Sequence, residues 1–104
     1  MNLDQTNWSK NSKEGTIIDV RTGEEFYDGH LKNATLMDIG DPVLFLDAIS
    51  YLNKSHAHYV YCQSGSRSAT ACDIMKENGI KAYNLIGGIT EWNGDIEKTK
   101  EYTK

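Results

Sequence analysis

An α/β fold built on a mainly parallel sheet is predicted by three features of the chain. Short runs of β-branched and aromatic residues, TIIDV at 16–20, HYVYC at 58–62 and AYNLI at 82–86, read as strands. Stretches with helical spacing lie between them. The connections are long enough to cross over the sheet, and right-handed crossovers join parallel strands covered by helices on both faces.

The elements follow in order. TIIDV is a buried strand. Thr22 with Glu25 three residues on fits a capping box, so a short helix begins there and Gly29 ends it. Residues 34–39 form a second, weaker strand. Asp41 followed by Pro42 is an N-cap and first-turn pair, after which Phe45, Leu46, Ile49 and Leu52 share one helical face. HYVYC is the third strand. A helix over 66–78 carries Ala69, Cys72 and Met75 on one stripe, with Ala71 and Ile74 beside it, and Gly79 stands at its C′ position. AYNLI is the fourth strand, Gly87 and Gly88 turn the chain, and ITEWN opens a last short helix. The charged segment 95–104 is expected to be solvated and frayed at its end.

With 104 residues the chain has room for one domain, expected to span 1–104 with its core in 16–94. Hydrophobic residues make up 38% and charged residues 25%, a balance that supports a packed core rather than disorder. The net charge is −4 and no run of lysine or arginine occurs, which argues against nucleic acid as a partner. No stretch is long and apolar enough to span a bilayer, and the polar start MNLDQTNWSKNSKEG has no signal-peptide core. A cytoplasmic protein is expected, unless a leader has been removed. Two cysteines are too few for a disulfide scaffold, and neither they nor His30, His56 and His58 have metal-ligand spacing. No metal and no cofactor are expected, and the chain is expected to be a monomer.

The stretch YVYCQSGSRSAT carries the chemistry. Cys62 closes a strand, at the carboxyl edge where open parallel sheets bind ligands. Asp19 and Arg21 end the first strand at the same edge. Gly65 can take a positive φ, and a tight turn running into a helix points backbone N–H groups and the positive helix end at one spot. Such a cradle suits an anion, and a cysteine thiolate can be that anion.

Cys62-Gln63-Ser64-Gly65-Ser66-Arg67-Ser68 resembles the active-site loop of the rhodanese family, the single-domain sulfurtransferases. Asp19-Val20-Arg21, Glu25-Phe26, Gly29-His30-Leu31 and Ala34 resemble that family's first half, and Leu85, Gly87-Gly88 and Trp92 its ending. The likeness covers roughly residues 16–94 and implies a rhodanese-like domain with a central sheet of four to five strands. The fifth strand would come from near the N-terminus. The implied chemistry is transfer of sulfane sulfur through a persulfide on Cys62, with Gln63, Ser64, Gly65, Ser66, Arg67 and Ser68 as the anion-binding loop and Asp19 and Arg21 in support. Thiosulfate or persulfides would be donors; thiols, cyanide or a protein would be acceptors. The related cell-cycle phosphatases carry one more residue between cysteine and arginine, so the shorter loop here favours sulfur over phosphate or arsenate chemistry. Glutamine at 63, where many thiosulfate-using members carry arginine, points toward persulfide donors. A non-catalytic binding module of the same fold is the competing function.

Other readings stay open at this level. Arg67 could hold an anionic donor or brace the loop through an acid such as Asp19. Asp19 could support the loop or cap local backbone. Arg21 and Glu25 are expected to pair. The His30 ring is expected to hydrogen-bond its turn, Trp92 to pack in the core, and Cys72 to be a packing residue rather than a resolving thiol.

Overall fold

The computed structural model describes residues 1–98. Five strands, β1 (Asn2–Leu3), β2 (Thr16–Asp19), β4 (Ala34–Leu36), β5 (His58–Tyr61) and β6 (Ala82–Leu85), form one parallel sheet in the order β1-β6-β5-β2-β4. Helices α1 (Gln5–Ser12), α2 (Gly23–Asp28), α3 (Pro42–Ile49) and α4 (Ser66–Glu77) connect them, with a 3-10 turn at Ile89–Glu91. This is the expected α/β fold, and the fifth strand does lie near the N-terminus. Among the described residues no helix is long and apolar enough to cross a membrane.

Strand periodicity divides the core in two. Ile18, Val20, Val60 and Cys62 pack with Phe45 and Ile49 of α3 and with Ala71, Cys72 and Met75 of α4. The alternate residues, Tyr59, Tyr61 and Leu85, pack on the other face with Trp8 of α1 and with Leu31. Cys62 therefore faces α4 because it shares the parity of Val60.

The local signals are realised as chemistry. The Thr22 hydroxyl accepts the Glu25 N–H, Glu25 reaches back to the Thr22 N–H, and Gly29 caps the end. Asp41 accepts the Leu44 N–H with Pro42 in the first turn. Gly79, at φ +78°, donates to the Lys76 carbonyl while Ile80 N–H returns to Met75, a Schellman-type stop. Beyond β4 the chain stays along β2, with Met37 N–H on the Asp19 carbonyl and Ile39 N–H on that of Val20.

Four expectations are corrected or extended. The packed region begins well before residue 16. Asp4 caps α1, whose Trp8 is fully buried, donates Nε1–H to the Tyr83 carbonyl and meets Tyr59, Tyr61 and Trp92 edge to face. A helix with one apolar anchor shows no stripe in its sequence, yet truncating a buried tryptophan typically costs about 3–5 kcal/mol. The solvated tail carries one further element: Ile96–Glu97 forms β7, antiparallel to β3 (His30–Leu31). The remainder, residues 99–104, lies outside the described residues. Leu46 is 49% exposed, so only Phe45 and Ile49 of α3 enter the core, with Leu52 packed against it. On α4, Ser68 and Ala71 join Cys72 and Met75 as the buried residues, whereas Ala69 is only half-buried.

Candidate functional site

Because β6, β5 and β2 are neighbours and parallel, the loops leaving them meet at one edge. Cys62 follows β5 directly, and Gly65, at φ +106°, is the N-cap of α4. A residue with a Cβ is strained in that conformation. The turn folds back so that Gly65 N–H donates to Cys62 Sγ at 3.1 Å, and the Ser68 hydroxyl lies 3.2 Å from the same sulfur.

The loop's carbonyls are occupied elsewhere. Ile89 N–H donates to the Cys62 carbonyl at 3.0 Å, and both the amide and the hydroxyl of Thr90 donate to the Gln63 carbonyl, at 3.1 and 2.8 Å. Gly88 permits this approach: a Cβ there would stand 2.4 Å from the Gln63 oxygen and 2.6 Å from that of Cys62. Acceptors thus point to the 3-10 turn and donors point to the sulfur. Burial pushes the Cys62 thiol up, but the Ser68 hydroxyl and the amides of Ser68, Gly65 and Ser64 outweigh it, leaving the thiol below its ordinary value. The side chains of Ser64 and Ser66 contribute nothing to that cradle and lie on exposed residues. Cys62 itself is fully buried.

Asp19 and Arg21 form a buried pair beside the loop. Arg21 donates Nε–H and Nη2–H to the carboxylate, at 3.0 and 2.7 Å, while its backbone N–H is capped by Asp19 Oδ1 at 2.9 Å. Asp19 thus caps local backbone and holds the Arg21 guanidinium beside the loop. Its Nη2 donates to the Gly29 carbonyl and its Nη1 to Gln63 Oε1 at 3.3 Å. Gln63 Nε2–H donates to Thr90 Oγ1 at 3.0 Å, which pins the side chain between the two loops.

Arg21 does not pair with Glu25, and Arg67 is not braced by Asp19. Instead Arg67 and Glu25 make a two-pronged ion pair, at 2.8 and 2.9 Å. The geometry follows from α2 facing the first turn of α4, while the Asp19 carboxylate is already filled by Arg21. Arg67 holds the Glu25 carboxyl down at about 2. The His30 ring bonds the Phe26 carbonyl at 3.0 Å and stacks on Phe26. Trp92 packs half-buried against Trp8. A cleft of about 270 Å³ opens beside the loop, lined by Arg21, Glu25, Asp28, Gly29, Gln63, Ile89 and Ile96. Among the described residues no group of three or more histidine, cysteine or acidic side chains could hold a metal ion.

Two residues of the site escaped the sequence reading. Asn84, 4% exposed on β6, bonds both Ser68 and the Gly65 carbonyl. An asparagine in the middle of an apolar strand is the signal that marks it. Thr90 has no such signal, because its partner is a carbonyl distant in sequence.

A five-stranded parallel sheet flanked by helices, with a strand-end cysteine facing a helix N-terminus, places the chain in a class of small α/β domains. The chain belongs to the rhodanese-like domain family, whose model matches residues 3–95. It is 33% identical over 81 residues to the Bacillus subtilis protein named "Putative sulfurtransferase YtwF", covering 78% of this chain and 76% of that one. It is 32% identical over 82 residues to the B. subtilis "Putative sulfur carrier protein YrkF", covering 78% of this chain and 43% of the other. A rhodanese-like domain protein from Staphylococcus aureus superposes with a TM-score of 0.80 at 30% identity, covering 93% of this chain and 96% of its own.

Proposed function

We propose that this domain is a sulfurtransferase that carries sulfane sulfur as a persulfide on Cys62. The observation that carries the reading is the inventory around Sγ: the Gly65 amide and the Ser68 hydroxyl bond the sulfur directly, and the loop carbonyls are bound on the far side. Such a site stabilises negative charge on sulfur without a general base.

The exchange needs only a thiolate and a donor. Cys62 Sγ attacks the outer sulfur of a persulfide, R–S–SH. A new S–S bond forms, the donor S–S bond breaks, and its electron pair leaves with the thiolate RS⁻. The acceptor then attacks the outer sulfur of the Cys62 persulfide, and the electron pair of that S–S bond returns to Sγ. With cyanide the product is thiocyanate. Since Cys62 is fully enclosed, the exposed loop residues Gln63 and Ser64 must part to admit the donor.

Persulfides fit the site better than thiosulfate. Both guanidiniums beside the loop are already paired, Arg21 with Asp19 and Arg67 with Glu25, and position 63 is neutral. The name of one relative as a sulfur carrier supports a protein among the acceptors. Intact-mass measurement after incubation with a low-molecular-weight persulfide tests the reading. The protein should gain one sulfur atom, lose it to cyanide with release of thiocyanate, and do neither as Cys62→Ser. A wild type that gains no sulfur from any donor would move the binding-module reading to first place.

A further inference from the structure

The Ser68 hydroxyl has one hydrogen and two acceptors. Its oxygen lies 3.2 Å from Cys62 Sγ and 2.5 Å from Asn84 Oδ1. The Asn84 amide cannot turn around to resolve this. Its NH₂ faces the Gly65 carbonyl at 3.1 Å, and a carbonyl only accepts. The same NH₂ also meets Asn2 Oδ1 at 3.0 Å. The amide oxygen is therefore locked toward Ser68, and all three residues are buried.

We propose that Asn84 is a positioning residue that competes with Cys62 Sγ for the single hydroxyl hydrogen of Ser68, so that this hydrogen turns with the charge on the sulfur. With Cys62 as a thiol, S–H donates to Ser68 Oγ and Ser68 O–H donates to Asn84 Oδ1. Every group is satisfied. On ionisation the sulfur's proton goes to water and the Ser68 hydrogen turns to Sγ. Asn84 Oδ1 then loses its donor, which is unfavourable for a buried acceptor. Asn84 thus holds the thiolate back from the full stabilisation the cradle could give. A thiolate stabilised too strongly is a weaker nucleophile, so the competition preserves attack on a donor. In the persulfide the charge moves to the outer sulfur, and the hydrogen returns to Asn84. This last step rests on the sulfurtransferase reading, whereas the competition itself does not.

The other titratable or charged groups near Cys62 are Arg67 and Cys72 on α4 and the Asp19–Arg21 pair at the end of β2. None of them bonds Asn84 or the Ser68 hydroxyl, so they are common to all variants.

The test is the pH midpoint of Cys62 alkylation by iodoacetamide, read by mass, in a Cys72→Ala background. Asn84→Leu removes the competing acceptor and should lower the midpoint by about one pH unit. Asn84→Ala removes the same acceptor without adding a charge and should also lower it. Ser68→Ala alone should raise it, and adding either Asn84 change to Ser68→Ala should shift it no further. If Asn84 only anchored the loop through Gly65, both substitutions would loosen the cradle, raise the midpoint and act equally without the Ser68 hydroxyl. That pattern would overturn the proposal. Should Asn84→Leu fail to fold, Asn84→Ala with and without the Ser68 hydroxyl decides by the same criterion. The titration uses no sulfur donor, so it reads out whether or not the protein loads sulfur.

Discussion

Cys62 and Cys72 are both buried, belong to the same apolar cluster, and are pushed in opposite directions. Cys62 is 0% exposed and Cys72 4%. Burial raises both thiols, and at Cys72 only the positive charge of the chain's amino terminus opposes it, so the thiol is driven up to about 12. At Cys62 a hydroxyl and three amides reverse the sign. Depth in the core therefore does not decide in which direction a thiol's titration moves. What separates them is where each side chain lies relative to a helix: Cys72 is inside the hydrogen-bonded body of α4, where every amide is used, whereas Cys62 faces its first turn, where the amides are free.

The widest margin on this contrast is in labelling. A thiol at about 12 is ionised in on the order of one molecule in 10⁵ at pH 7, while Cys62 should titrate below the ordinary value of about 8.5. Peptide mapping of native protein after brief iodoacetamide treatment should find Cys62 modified and Cys72 untouched until the chain is unfolded. Equal labelling would erase the distinction.

Gly88→Ala attacks only the Cys62 side. The new Cβ meets two backbone oxygens, and φ +59° with ψ −160° is a region nearly restricted to glycine. A loss of about 2–4 kcal/mol in denaturant unfolding is expected, together with a raised Cys62 midpoint in whatever fraction stays folded. An unchanged midpoint would mean the 3-10 turn does not shape the cradle.

Cys72→Ala attacks the other side. Removing one buried sulfur from the α4 stripe should cost about 1–2 kcal/mol and leave the Cys62 midpoint and sulfur loading where they were. A fall in loading with stability intact would make Cys72 a resolving thiol.

The smallest effect concerns Glu25 and Arg67. The pair is 30% and 38% exposed at its side chains, so Glu25→Gln should cost no more than about 1 kcal/mol. Its pH signature has a definite sign. The Glu25 carboxyl is lowered from 4.5 to about 2 in the fold, so the stabilisation is present above about 4.5 and is lost as pH falls toward 2. Thermal melts across that window should show wild type and Glu25→Gln converging at low pH. Parallel curves would remove the ion pair from the loop's support.

Elements with a local cause were legible. The capping box at Thr22, the Asp41-Pro42 start, the Gly79 stop and the strand ending at Cys62 all depend on residues within a few positions of one another. Helix α1 was not legible, because its one anchor is a tryptophan whose partners lie on β5, β6 and the segment after the 3-10 turn. The same reason hid β7, a two-residue strand defined wholly by its pairing with His30–Leu31.

At the site the division is sharper. A cysteine at a strand's carboxyl end meeting a glycine turn and a helix start follows from the order of residues 58–68, since all three are contiguous. The cations and acids that gather at that edge are legible in the same way. How they pair comes from the packing of distant segments: Arg21 with Asp19, Arg67 with Glu25, and Asn84 with Ser68. Charges of opposite sign can pair in several ways when several meet, and the choice falls to which carboxylate each guanidinium reaches first. That reach is set by where α2 stands relative to the first turn of α4 and by the register of β6 beside β5, distances that no local spacing encodes.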